Sequence, residues 1–243
     1  MKKKMIALLA GALMTVAMAG NALAYFENDH LIRVVYDKTA MKEVATDLGS
    51  ISTILSTKGV QVLGAGADSY LGGALATSSF SNLNVAYYAV NVANMDLYLS
   101  SKADTQSLNG TTGWTAGSSA IANTLSRYAG LGGSTVTLGM GDASSYWAKL
   151  DGTGTKVGKF NTFYSAANGE MNLAALATGG EVKQNLFFFD NPKTTVAGVK
   201  QNLTIKTLST GGTEVASNVP VPPALFLMGS GLLGLVGIRR KKQ

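Results

Sequence analysis

Cysteine is absent from the 243-residue chain. That one absence excludes a disulfide framework, a thiolate metal site and a cysteine nucleophile, so stability has to come from burial. Histidine occurs once, at His30, which rules out a multi-histidine metal site; no metal and no cofactor is expected. A Ser-His-Asp triad would have to use His30 near the start of the chain, a poor place for preorganised catalysis. His30 is therefore read as a solvated side chain ahead of the first strand. Charge is also scarce, at 14% Asp, Glu, Lys and Arg. The formal net charge of +6 raises the question of nucleic acid or membrane partners until the charges are located. Lys2, Lys3 and Lys4 sit at one end and Arg239, Arg240, Lys241 and Lys242 at the other, leaving 13 basic residues against all 14 acidic ones between Tyr25 and Asn218. That middle has no basic cluster to follow a phosphate backbone, and nucleic acid is not an expected partner.

Proline is rare, and three of its four occurrences crowd into Pro220, Pro222 and Pro223. Glycine, in contrast, occurs 29 times among many Ser, Thr, Asn and Ala residues, a composition that suits extracellular β-rich proteins with many turns.

The two ends have a different character from the middle. After Lys2 to Lys4, Met5 to Ala17 form an apolar run of signal-peptide length, and Ala22-Leu23-Ala24 fits a small-residue cleavage site. Residues 1–24 are thus expected to form a signal helix that is removed, with Tyr25 as the new first residue. At the far end, Val219-Pro220-Val221-Pro222-Pro223 should be extended and exposed, since proline blocks helix propagation. The uncharged stretch Ala224 to Ile238 follows; as a helix it covers about 22 Å, short of a bilayer core of about 30 Å, and counting from Val219 it just reaches. Arg239 to Lys242 hold the end of the chain on the cytoplasmic side. Gly229, Ser230, Gly231 and Gly234 give this transmembrane segment a small-residue surface. It favours close approach by another membrane helix, whether a second copy or a membrane-embedded processing enzyme.

The stretch VPVPPALFLMGSGLLGLVGIRRKK resembles the PEP-CTERM sorting signal in its V-P-x-P-A variant. Val219, Pro220, Val221 and Pro222 match the short motif, Gly229 to Leu235 the helix, and Arg239 to Lys242 the basic tail. Val221 stands where the best-known form has an acidic residue, and Pro223 where the variant often has alanine. The resemblance covers about 25 residues. It implies recognition by an exosortase-type membrane protease in the envelope of a Gram-negative, exopolysaccharide-exporting bacterium. The protein would lie transiently in the inner membrane and then reach the cell surface or extracellular matrix.

Within residues 25–218, alternation predicts strands. Ile32, Val34 and Tyr36 share one face, and Leu31, Arg33 and Val35 the other, with a hairpin returning through Lys42 to Thr46. Leu83, Val85, Tyr87 and Ala89 alternate with Asn84, Ala86, Tyr88 and Val90, and a turn at Asn91 to Asn94 leads to a partner strand ending near Ser100. One face of that pair reads as nearly polar, the wet side of an antiparallel sheet. Residues 100–118 read as a long loop or a sub-boundary. Ile121, Leu125 and Tyr128 then predict a short helix, capped by Ser118 or Ser119 and ended by Gly130. Ser134 to Leu138, Val182 to Asp190 and Leu203 to Leu208 read as further strands, the last turning at Gly211-Gly212, with Pro192 closing the aromatic strand at an edge or strand end. The expected fold is mainly β, an antiparallel sandwich-like domain with one or two short helices; α+β is the competitor.

Chemistry is sparse. Gly152 to Lys159 lacks the spacing of a phosphate loop, and Gly64 to Ser69 lacks the third glycine of a dinucleotide fingerprint. Asp151 has no alternating carboxylates for calcium. The two tryptophans, Trp114 and Trp147, lie in Ser-, Thr- and Gly-rich segments and are either core anchors or stacking platforms for sugars. The expectation is a non-enzymatic surface or matrix protein that touches exopolysaccharide. A carbohydrate-binding module and a secreted hydrolase with unmarked carboxylates are the alternatives.

Overall fold

The computed structural model describes residues 25–94, 96–109, 114–150, 169–190 and 197–217. The signal segment with Ala22 and Ala24, the sorting segment from Val219 to Lys242, the loop from Gly152 to Lys159 and Pro192 all lie outside the described residues.

The chain opens with the hairpin expected of it, β1 (His30–Asp37) and β2 (Lys42–Ser50), paired antiparallel. Asp37 makes the turn: its carboxylate accepts the backbone N–H groups of Thr39 at 2.7 Å and Ala40 at 3.0 Å, the usual contribution of aspartate to a tight reversal. Next come α1 (Ile51–Ser56), the short strand β3 (Gly59–Leu63) and three single-turn 3₁₀ segments. β4 (Leu83–Asn91) and β5 (Asp96–Lys102) form the second expected hairpin. The two-residue β6 (Leu108–Asn109) leads to α2 (Trp114–Ala129), then β7 (Thr135–Gly139) and the single helical turn α3 (Tyr146–Lys149). β8 (Glu170–Asn172), β9 (Val182–Phe189), β10 (Ala197–Thr207) and β11 (Thr213–Ser217) complete the chain.

The eleven strands belong to one sheet, in the order β3-β11-β10-β9-β5-β4-β1-β2-β7, with β6 on β10 and β8 on β4. Where two packed sheets were expected, one antiparallel sheet curls into a half-barrel. A long-range contact shows how far it curls. β1 and β11 are five places apart in that order, about 24 Å across a flat sheet, yet Arg33 on β1 donates to Thr213 Oγ1 on β11 at 2.9 Å.

The curl also explains why the expected wet face does not exist. On one side, Ile32, Val34 and Tyr36 of β1 join Ala86, Tyr88 and Val90 of β4, and α2 covers them with Ile121, Leu125 and Tyr128. On the other, Leu31 and Val35 join Leu83, Val85 and Tyr87, and the turning sheet brings Ile205 and Val215 over them. Both faces are therefore core. Ser100, read as part of a polar surface, is fully buried; it donates to Gly169 O at 2.7 Å and accepts the Tyr87 N–H at 2.9 Å. α2 presents the three anticipated residues inward and ends at Gly130, whose N–H reaches Ser126 O, but it begins at Trp114, upstream of the expected cap. β9 ends at Phe189, before Pro192. Among the described residues, no helix is long and apolar enough to cross a membrane.

Candidate functional site

Inside the half-barrel lies a buried cation. Arg33 alternates onto the same face as Leu31 and Val35, and with 0% exposure it is surrounded by neutral acceptors. Nη1 donates to Gly211 O at 3.1 Å and Thr213 Oγ1 at 2.9 Å. Nη2 donates to Thr46 Oγ1 at 3.0 Å, Gly64 O at 3.2 Å and Asp68 O at 2.8 Å. The guanidinium also lies over the Tyr70 ring, 5.1 Å from its centroid. Burial lowers its pKa, while Tyr87, Tyr70 and Asp68 nearby act in the opposite direction; arginine remains a cation under such perturbation. Tyr87 continues the network, its hydroxyl lying 2.8 Å from Thr207 Oγ1 and 3.0 Å from Thr213 Oγ1. The arrangement ties β1, β2, β4, β10 and β11 to the turn after β3. It clasps the fold around a fully buried guanidinium.

His30 corrects the sequence reading. It is not a solvated residue ahead of the first strand but the first residue of β1, its side chain 19% exposed. A register irregularity between His30 and Ile32 brings Asp47 of β2 alongside. His30 Nδ1 lies 2.8 Å from Asp47 Oδ2, which also accepts the Phe26 N–H at 2.5 Å, while Oδ1 accepts Gly49 N–H at 2.8 Å. The pair borders a cavity of about 310 Å³ shared with Tyr25, Gly64, Asp68 and Ser134. Serine, histidine and aspartate thus meet, but in the wrong order for a nucleophile. Ser134 Oγ donates to Asp68, which also accepts Thr135 Oγ1 at 3.1 Å. The hydroxyl proton is directed at a carboxylate rather than at an imidazole, and Asp47 secures the start of the domain as much as it orients His30. Tyr25, the expected first residue of the processed protein, lines this cavity. A second cavity, of about 520 Å³, lies between the opening segment and α2, with Glu27 the one carboxylate among its described lining residues.

The other carboxylates with conspicuous environments serve a tyrosine cluster. Glu43 of β2 is completely buried and accepts Tyr128 Oη at 2.7 Å and the N–H groups of Tyr146 at 2.8 Å and Trp147 at 3.0 Å. Burial pushes its pKa up, and these donors pull it partly back. Glu43 thereby satisfies the first N–H groups of α3, whose N-cap Ser145 accepts from Ala148 N at 3.0 Å. Glu170 accepts Tyr36 Oη at 2.5 Å and Tyr146 Oη at 2.6 Å. The two glutamates hold opposite ends of Tyr146, and neither lines either of these cavities. The paired acids that a glycosidase needs across a substrate cleft are not assembled by them.

Trp147 is half-buried against the same core. The Tyr36 ring lies 5.6 Å away at 57°, and Lys38 Nζ sits 4.7 Å from the Trp147 centroid. A sugar stacking on the lysine side of that indole would have to displace an ammonium already held by the ring. Trp114 is the first residue of α2, and the surroundings of its side chain lie outside the described residues.

These geometries define a cysteine-free antiparallel half-barrel with both faces buried. Comparison of the chain with protein-family models, curated proteins and solved structures gives no match.

Proposed function

We propose that the chain is a non-enzymatic exported protein of the bacterial surface or extracellular matrix, in which residues 25–218 are the delivered domain. A removable signal helix carries it out, and a C-terminal membrane helix presents the Val219 to Pro222 motif to an exosortase-type protease. The observation that carries this reading is the bracketing of one β domain by two addressing segments. β11 ends at Ser217, two residues before Val219, and Phe26, the second residue after the expected cut, is anchored through its backbone to Asp47. The internal commitment of His30, Asp47, Asp68, Ser134, Glu43 and Glu170 favours a structural role over a catalytic one. Contact with exopolysaccharide is part of the proposal, through the domain surface and not through a cofactor.

Intact-mass analysis of the protein recovered from cells and medium tests it. The expected species starts at Tyr25 and ends between Val219 and Pro223. A mature species that keeps Arg239 to Lys242 would make the protein a membrane-anchored one, and a full-length cytoplasmic species would remove the proposal's foundation.

A further inference from the structure

Among the described residues the sheet ends in an uncovered edge strand, β3. Among the described residues β3 pairs with β11 alone, residue for residue from Gly59↔Ser217 to Leu63↔Thr213. Edge strands in soluble proteins are usually blunted by charge, proline or a bulge. β3 reads Gly-Val-Gln-Val-Leu, with no charge, no proline and no break in its register with β11. Its two valines, Val60 and Val62, are 64% and 58% exposed. Charge is abundant one strand inward: Lys183 of β9, Lys206 of β10 and Glu214 of β11 stand opposite one another across the ladder, and the next residue in that row is Val62. The charged row stops one strand before the edge. The opposite edge differs, because β7 buries Val136 and Leu138 and exposes only Thr137 and Gly139.

We propose that β3 is a docking edge for a second copy of this chain, the two β3 strands pairing antiparallel about a two-fold axis at Gln61. The sequence of the strand is complementary to itself in that register. Val60 faces Val62 of the other copy, Gly59 faces Leu63, and the flanking Lys58 faces Gly64, so the two lysines fall at opposite ends. Cross-strand valine pairs at about 4.5–5.5 Å would bury the exposed side chains, and the outward backbone groups of both strands would gain partners. The closed two-fold arrangement joins two half-barrels into one continuous sheet. The inference is independent of the export proposal, since it concerns only the described domain.

The absence of native cysteine makes the register directly measurable. In full-length protein in mild detergent, Val60→Cys and Val62→Cys variants are oxidised separately and as a mixture. The mixture is expected to give a disulfide-linked dimer in several-fold higher yield than either variant alone, because position 60 faces position 62 and not itself. A Val60→Lys/Val62→Lys double variant, altered only at exposed positions, is expected to lose the β3-mediated dimer while keeping its far-UV circular dichroism and melting temperature. Equal cross-linking in all three samples, or a dimer unaffected by the lysines, would place the contact elsewhere and overturn the proposal. A monomer at every concentration, with β3 covered by the chain's own C-terminal segment, would overturn it as well.

Discussion

Replacing Arg33 by methionine tests whether the buried cation closes the half-barrel. Methionine fills most of the stem's volume and removes the five hydrogen bonds of the guanidinium. Not all five acceptors suffer equally. Thr213 Oγ1 keeps Tyr87 Oη, and Thr46 Oγ1 keeps Thr135 Oγ1 at 3.3 Å. The buried Gly211 carbonyl keeps the Tyr70 N–H at 3.1 Å and the Asp68 carbonyl keeps Thr46 Oγ1 at 3.4 Å, while the half-buried Gly64 carbonyl can turn to water. Weakening acceptors that each keep another partner costs about 1–2 kcal/mol in all, and the Gly64 carbonyl and the lost Tyr70 contact add about 1–2 kcal/mol. Release of the desolvation penalty of a buried charge returns some of this, giving a net loss of about 2 kcal/mol. For a domain of this size, that lowers the melting temperature by roughly 4–8 °C. Arg33→Lys should lose a similar or slightly smaller amount, because a single ammonium reaches the Gly211–Thr213 side or the Gly64–Asp68 side but not both. Urea unfolding followed by circular dichroism measures the change, and hydrogen exchange locates it; faster exchange is expected in residues 64–70 and in β11. A methionine variant as stable as the parent, or more stable, would refute the clasp and leave apolar contact as the cause of the curl.

Two further perturbations probe other parts of the fold. Burial raises the Glu43 pKa, so the native state binds that proton more tightly than the unfolded chain. The contribution of this group to stability is therefore greatest below the unfolded value of about 4.3 and falls as pH rises through the native value. Tyr128→Phe removes a donor to the ionised form, and its cost should be larger at pH 8 than at pH 4 by about 1–2 kcal/mol; equal losses in urea at the two pH values would contradict the assignment. Gly211 has φ +91°, and a Cβ there would overlap Ser69 Oγ and lie 2.9 Å from Ser69 Cβ. Gly211→Ala should therefore add about 1–3 kcal/mol of overpacking to the backbone strain. Gly66→Ala, with φ +64° and open space around the new methyl group, should show the strain alone, so that thermal melts of the two variants separate steric clash from backbone conformation.

Much of the sheet was legible because period-two alternation is a local property. β1, β4, β5, β7, β9 and β10 announce themselves through residues such as Ile32-Arg33-Val34 and Leu83-Asn84-Val85, and Gly211-Gly212 announces the final turn. β3 and β11 are five-residue strands without a long alternating run, so neither was read from sequence. The helical turn at Tyr146 was missed despite a usable signal, Ser145 as a capping residue with Tyr-Trp behind it. The polar interior was hidden for a different reason. Arg33 finds acceptors 178 and 180 residues further along the chain at Gly211 and Thr213, and no window of sequence contains that pairing. His30 and Asp47 are nearer neighbours, but it is the register irregularity in the first hairpin that sets them side by side. The targeting ends offered the reverse case, with readable motifs in segments outside the described fold.

The position of β11 has a mechanical consequence. It is the last described strand, yet it lies inside the sheet, with β10 on one side and β3 on the other. Tension applied beyond Ser217 acts along the length of β11, while its hydrogen bonds to both neighbours run across it. Such a load shears five paired positions on each flank together instead of peeling them apart in sequence. A tether leaving this domain through β11 therefore pulls where the sheet resists force on two sides.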